Sequence, residues 1–307
     1  MKTCRSNFLL AALAAMFFSV PLSAQKDAPI DSTGMPGDNF SLEGALDLFK
    51  QAESPEEFEK LLNAENNKVN NLDLNEDGEV DYIRVIDNME GDAHAIVLQV
   101  PVSETESQDI AVIEIEKTAG EEAMLQIVGD EDVYGEQVIV EPFDMDMKEK
   151  GKGPSAELDM AAVVVNVWAW PSVRFVYRPG YAVWVSPWRW HNYPTWWRPW
   201  RPRPFHAFYV GVRPYRAHYH PVTTHRVVVA HKVYAPRRTH STVVRTRTTT
   251  IKGRGGRSVT HTTKTATVKG KNGGSVTARK SSTSVKGRNG GGAKRTTTTV
   301  KRKRGGN

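Results

Sequence analysis

The chain has 307 residues, a mean hydropathy of −0.48 and a single Cys at position 4, so neither a membrane-embedded bundle nor a disulfide-stapled scaffold is available to it. Its formal charge of +6 conceals a division: residues 25–160 hold all 35 acids against nine Lys and Arg, a net of −26, whereas residues 161–307 hold 30 Lys and Arg and no acid. That asymmetry excludes a uniformly charged surface, and each half is read by itself.

The first 24 residues have the form of a secretory signal. Lys2 and Arg5 make a positive start, residues 8–20 are apolar, Pro21 interrupts them, and Ser23 and Ala24 precede a cleavage point before Gln25. The apolar run is shorter than the roughly 20 residues that span a bilayer, so an export signal is expected rather than an anchor. The mature protein is thus placed in the periplasm or outside the cell. It has no Cys, and core packing or metal must hold it together. Residues 25–39 read as a linker.

Residues 40–143 read as an acidic α+β domain. Ser41 caps a helix in LEGALDLFKQA, and Ser54-Pro55-Glu56-Glu57 opens a second that buries Phe58, Leu61 and Leu62. Strand-type runs follow at 80–87, 93–102, 109–117, 122–129 and 136–142, with turns at 90–92 and 118–120. Two short helices and an antiparallel meander of four or five strands are the expectation.

Between helices and strands stands DLNEDGEVD, residues 73–81. Asp73, Asn75 and Asp77 supply alternating side-chain oxygens, Glu79 a main-chain carbonyl, Asp81 a last ligand, and Gly78 the sharp turn that a calcium loop needs. The string resembles the D-x-[DN]-x-[DN]-G loops of EF-hands and dockerins. The resemblance covers about 12 residues and implies a structural calcium ion of weak, extracellular-class affinity, around 0.1–1 mM. The twelfth position is Arg84, where an EF-hand has a bidentate Glu, and the loop is expected to leave as a strand. A solvated Asn/Asp turn is the plainer reading of the same residues.

No nucleophile elbow, H-E-x-x-H or phosphate loop is present, and no catalytic residue is assigned. His94 is expected to be packed in its strand. Glu114 and Glu116, two apart on one strand face, are expected to lie on a solvated outer face.

A charged linker at 144–160 leads to a segment rich in Trp, Arg, Pro and His at 161–235. Residues 161–170 read as a further strand or a short helix. VRFVY (173–177), RPG and YAVWV (181–185) read as a β-hairpin. Beyond it, Pro-rich extended chain carries Trp188, Trp190, Trp196, Trp197 and Trp200 interleaved with Arg, a pattern suited to cation–π stacking. These rings either pack on the protein itself or form an exposed aromatic platform for sugars or bases. His218-x-His220 with His225 offers metal donors, but the spacing matches no closed site.

Residues 236–307 form a basic, low-complexity tail. IKGRGGRSVT at 251, VKGKNGGSVT at 268, VKGRNGGGAK at 285 and VKRKRGGN at 300 repeat a Thr/Val arm followed by a Gly turn. Hairpins are compatible with that pattern, but few large apolar groups and dense like charge predict disorder in isolation. Arg237, Arg238, Arg254, Arg257, Lys269, Lys271, Arg288, Lys294, Arg295, Lys301, Arg302, Lys303 and Arg304 are the expected contacts to polyanions, without sequence reading.

The layout resembles secreted bacterial proteins that join a small domain to a low-complexity end. A non-enzymatic envelope or matrix protein binding acidic polysaccharide, lipopolysaccharide or DNA is the leading expectation. A hydrolase of envelope polymers, and self-association between the acidic and basic halves, are the alternatives.

Overall fold

A computed structural model describes residues 32–143, 164–252, 258–269, 275–286 and 292–303. The signal-type segment 1–24, the linker 144–160 and residues 25–31 of the first linker lie outside them.

The elements begin with two capped helices. α1 (Leu42–Gln51) starts at Ser41, whose hydroxyl accepts from Gly44 N at 3.0 Å. α2 (Pro55–Leu62) starts at Ser54, which accepts from Glu57 N, with Pro55 in the first turn where no N–H is needed. Phe49 and Phe58 meet edge to face at 5.1 Å and join the helices to the sheet below.

The sheet is antiparallel throughout, in the order β1-β2-β3-β4-β5-β6, and the architecture is mixed α+β. Its strands are β1 (Arg84–Glu90), β2 (Ala93–Pro101), β3 (Ser107–Ala119), β4 (Glu122–Gly129), β5 (Val138–Pro142) and β6 (Tyr219–Val222). A short helix, α3 (Glu131–Tyr134), links β4 to β5. The run at 80–87 enters the sheet only at Arg84. Before that, its backbone groups bond elsewhere: Val80 N to Trp200 O, Asp81 N to Leu72 O, and Ile83 N to Asn63 Oδ1.

Both faces of the sheet are covered. Val85, Ile96, Leu98, Ile113, Ile115, Leu125, Ile127 and Val140 pack under α1 and α2. On the opposite face lie Ala95, Val97, Val112, Val128 and Ile139, covered by Tyr234 at the end of a helix from the basic half. That second cover explains why β2 is buried at every position rather than alternately.

The basic half builds much of this core. Residues 173–177 are not a strand: Pro171–Val176 is a helix, α4, with Pro171 in its first turn and Val173 and Val176 buried. Pro pre-sets the helical φ there, and a spacing of three puts both valines on the core side, so the β-branched composition is overridden. The expected hairpin partner, 181–185, is extended chain with one bridge, Ile86 to Val185. α5 (Phe205–Val212) follows, then β6 extends the sheet beside β5. α6 (Val228–Tyr234) lies on the outer face. α7 (Thr242–Arg247) buries Val244. Trp170, Val173, Val176, Tyr219 and Val244 all belong to the main core, so both charge halves share it.

The tail arms, expected to be disordered in isolation, run as β7 (Thr248–Lys252), β8 (Ser258–Lys269), β9 (Ser275–Lys286) and β10 (Gly292–Lys303) in a second antiparallel sheet. Arg295 stands opposite Thr283, Lys301 opposite Thr277, Arg302 opposite Val276 and Lys303 opposite Ser275, and like charges meet at Lys264 and Lys280.

Candidate metal centre

Glu114 sits mid-strand on β3, flanked by Ala95 on β2 and Gln126 on β4. It is fully buried, not solvated as the sequence pattern implied, because α6 and the chain before it cover this face. Two imidazoles converge on its carboxylate. His231 Nδ1 lies 2.7 Å from Oε1, and His225 Nε2 lies against Oε2. The two rings meet edge to face at 4.4 Å. The hydrogen bond to Glu114 raises the His225 pKa above its ordinary value, against the opposing effect of burial.

The surrounding residues hold both imidazoles in place. Gln126 Nε2 donates to Thr224 O at 3.0 Å, and its Oε1 accepts from Arg226 N at 2.8 Å, so one amide grips the backbone on both sides of His225. Glu116 accepts from Val229 N and Ala230 N, which fixes the first turn of α6 and with it His231. Glu114, His225 and His231 each offer a donor atom within 4.8 Å of the others, so the cluster can hold a metal ion. His231 also lines an open cleft of about 310 Å³ that continues past Tyr234, Asp130 and Arg238. The spacing His218-x-His220 with His225 had pointed to a different grouping. Only His225 of those three enters the cluster, and its partners come from β3 and α6.

The expected calcium loop has a different character. Asp77 N donates to Asn75 Oδ1, Glu79 N to Asp77 Oδ1, and Gly78 N to Asp73 Oδ2, so the turn is closed by its own side chains. Gly78 has φ +90°, which only Gly adopts at little cost. Asp81 is buried and accepts from Leu74 N. Asp73 Oδ1 is buried without a hydrogen-bond partner, and burial, then Asp77, pushes the Asp73 pKa up to about 6. Among the described residues the acids of this loop do not gather as closely as the Glu114 group does.

The five tryptophans do not form one exposed platform. Trp197 is buried and packs edge-on against Tyr82 at 5.1 Å, and Trp188, Trp190 and Trp200 are half-buried. Trp196 alone of the five is exposed, at 47%. The stacked cations on Trp rings include lysines of the acidic half: Lys50 on Trp170, Lys60 on Trp196 and Lys117 on Trp168. The segment therefore lies on the head because the head supplies both its cations and its apolar contacts.

Of the expected polyanion contacts, Arg237 and Arg295 are exposed. Arg238 is not free for such a role: it pairs with Asp130, Glu131 and Asp132 around α3. Lys269 lies on β8, and Lys294 and residues 301–303 lie on β10. Arg254, Arg257, Lys271, Arg288 and Arg304 lie outside the described residues. Arg203 with Glu65, Arg216 with Glu43 and Arg226 with Glu141 also join a base of the second half to an acid of the first.

Sequence reasoning missed a set of buried carboxylates. Glu59 binds Tyr82, Ser186 and Val85 N; Asp87 binds His94 and Tyr181; Asp109 binds Gln99, Tyr234 and Thr239 N. In each case at least one donor lies more than 90 residues further along the chain. A local pattern does not reveal such a partner. One signal was available: the unbroken apolar run IAVI at 110–113 marks a strand covered on both faces, which puts Glu114 indoors. No protein-family model, curated protein or solved structure matches this chain.

Proposed function

We propose that this is an exported, non-enzymatic protein in which a folded head carries a cationic extension that adheres to acidic polymers such as polysaccharide, lipopolysaccharide or DNA. One contrast carries the reading. Arg203, Arg216, Arg226 and Arg238 meet acids of the head, whereas residues 248–307 hold 16 Lys and Arg and no acid. The extension has no acid of its own to offset its positive charge. In sequence its Lys and Arg are interspersed with Thr, Ser and Gly, and a polyanion can neutralise them by releasing its counterions. Self-association through opposite charge is the less favoured reading, because these intrachain pairs already use part of the complementarity.

The test is retention on heparin and on duplex DNA. Full-length protein is expected to bind in about 50 mM salt and to release steeply as salt rises. A chain ending at Arg247 keeps Val244 in the core and should bind at least tenfold more weakly. Equal retention by both chains, or hydrolysis of an envelope polymer by the shortened one, would sink the adhesive reading.

The finer element of the proposal is calcium at Asp73, Asn75, Asp77, Glu79 and Asp81. The unpartnered Asp73 Oδ1 and the positive φ of Gly78 support it. Calcium at 5 mM or so should raise the thermal midpoint by a few degrees, given sub-millimolar affinity. Asp73→Asn should erase that rise, and a calcium response unchanged in this variant counts against the loop.

A further inference from the structure

We infer that Glu114, His225 and His231 form a mononuclear site for a borderline divalent cation of the zinc class, with a fourth coordination position left for an exogenous ligand. The inference does not rest on the polyanion reading.

The donor set selects the metal. Two imidazole nitrogens and one carboxylate suit zinc, cobalt(II), nickel or copper, whereas calcium and magnesium prefer oxygen. Three protein donors leave a position for water or an exogenous anion, as in zinc sites with an open coordination position. The geometry requires little movement. Tetrahedral zinc with ligands at about 2.0–2.1 Å separates neighbouring donor atoms by roughly 3.3 Å. His231 Nδ1 and Glu114 Oε1 are 2.7 Å apart, so rotations of the half-exposed imidazoles open enough room.

The supporting shell distinguishes this group from an incidental ion pair. Glu114 is held rigid mid-sheet, Gln126 clamps the backbone at Thr224 and Arg226, and Glu116 clamps the start of α6. The backbone around both histidines is thus held in place, and their ring nitrogens already converge on the Glu114 carboxylate. Outer contacts of this kind orient ligands in metal sites generally. An ion here would also tie β3 to two stretches of the basic half.

The test uses the full chain, stripped with chelator and titrated with zinc and, separately, cobalt(II). One equivalent of zinc should bind with micromolar or tighter affinity, and cobalt(II) should give the intense visible absorption of a four-coordinate ion. Glu114→Gln keeps the buried shape and hydrogen-bonding capacity, and His225→Gln keeps a polar side chain of similar length. Each should weaken zinc at least tenfold, while His218→Ala should leave it unchanged. Calcium at 10 mM or so should not displace zinc. Absence of stoichiometric binding overturns the site. So does a six-coordinate cobalt spectrum, or zinc binding that survives Glu114→Gln and His225→Gln but is lost in His218→Ala.

Discussion

Glu59→Ala should destabilise the head by about 3–5 kcal/mol and release the Trp-rich segment from it. The carboxylate is 2% exposed in the middle of α2. Its Oε1 accepts from Tyr82 OH at 2.7 Å and Ser186 Oγ at 2.8 Å, and its Oε2 from Val85 N at 2.9 Å. Alanine leaves those buried donors without a partner at once, and several losses of about 1–3 kcal/mol each accumulate. Two of the partners define what moves. Val85 begins the inner face of β1, and Ser186 anchors the chain that leads to Trp197 against Tyr82. Glu59→Gln should cost less than about 1 kcal/mol at neutral pH. Its oxygen can face Val85 N, its amide can donate to the two hydroxyls, and it removes a charge whose burial raises the Glu59 pKa. Denaturant unfolding, together with protease cleavage at residues 184–203, measures both effects. An alanine variant as stable as the glutamine variant would show that the carboxylate does not organise this region.

The second large effect is a fall in stability as pH rises from mildly acidic to neutral. Burial, opposed by bonds from Thr239 N and Gln99, pushes the Asp109 pKa up from 3.8 to about 6. An acid with its folded-state pKa above the unfolded one holds its proton more tightly when folded. Its contribution is fully present below about 3.8 and is lost as pH rises through about 6. The full swing is roughly 3 kcal/mol, and about half of it falls between pH 5 and 7.5. Asp130 and Glu59 are shifted in the same direction, again mainly by burial. The thermal midpoint should therefore be several degrees higher at pH 5 than at pH 7.5. Asp109→Asn should flatten the slope. A midpoint that rises with pH, or a slope identical in the variant, would contradict the assignment. Asp109 lies on β3, so this part of the pH response belongs to the head.

Local chemistry was enough to place the capped helices and the runs that became β2 to β5. Ser41 and Ser54 can satisfy free N–H groups at a helix start, and period-two apolar runs have one stable way to pair. The division of charge was likewise visible as counts. Reading that division as a boundary between separate objects did not anticipate that Trp170, Tyr219 and Val244 enter the same core as Leu46. Net charge describes long-range attraction, whereas apolar area determines what is buried, and the basic half carries much of both.

Everything that depends on contacts across the chain was decided only by the tertiary structure. Gln126 and Glu116 aimed two histidines at one carboxylate, and α6 put Glu114 indoors. His225 and His231 lie 111 and 117 residues beyond Glu114, a separation at which sequence spacing carries no geometric information. By itself the sequence determined the local elements and the surplus of positive charge in the tail, because both follow from neighbouring residues. The buried carboxylates, Glu114 and its two histidine partners among them, required the fold, because a desolvated charge persists only where distant donors are brought to it.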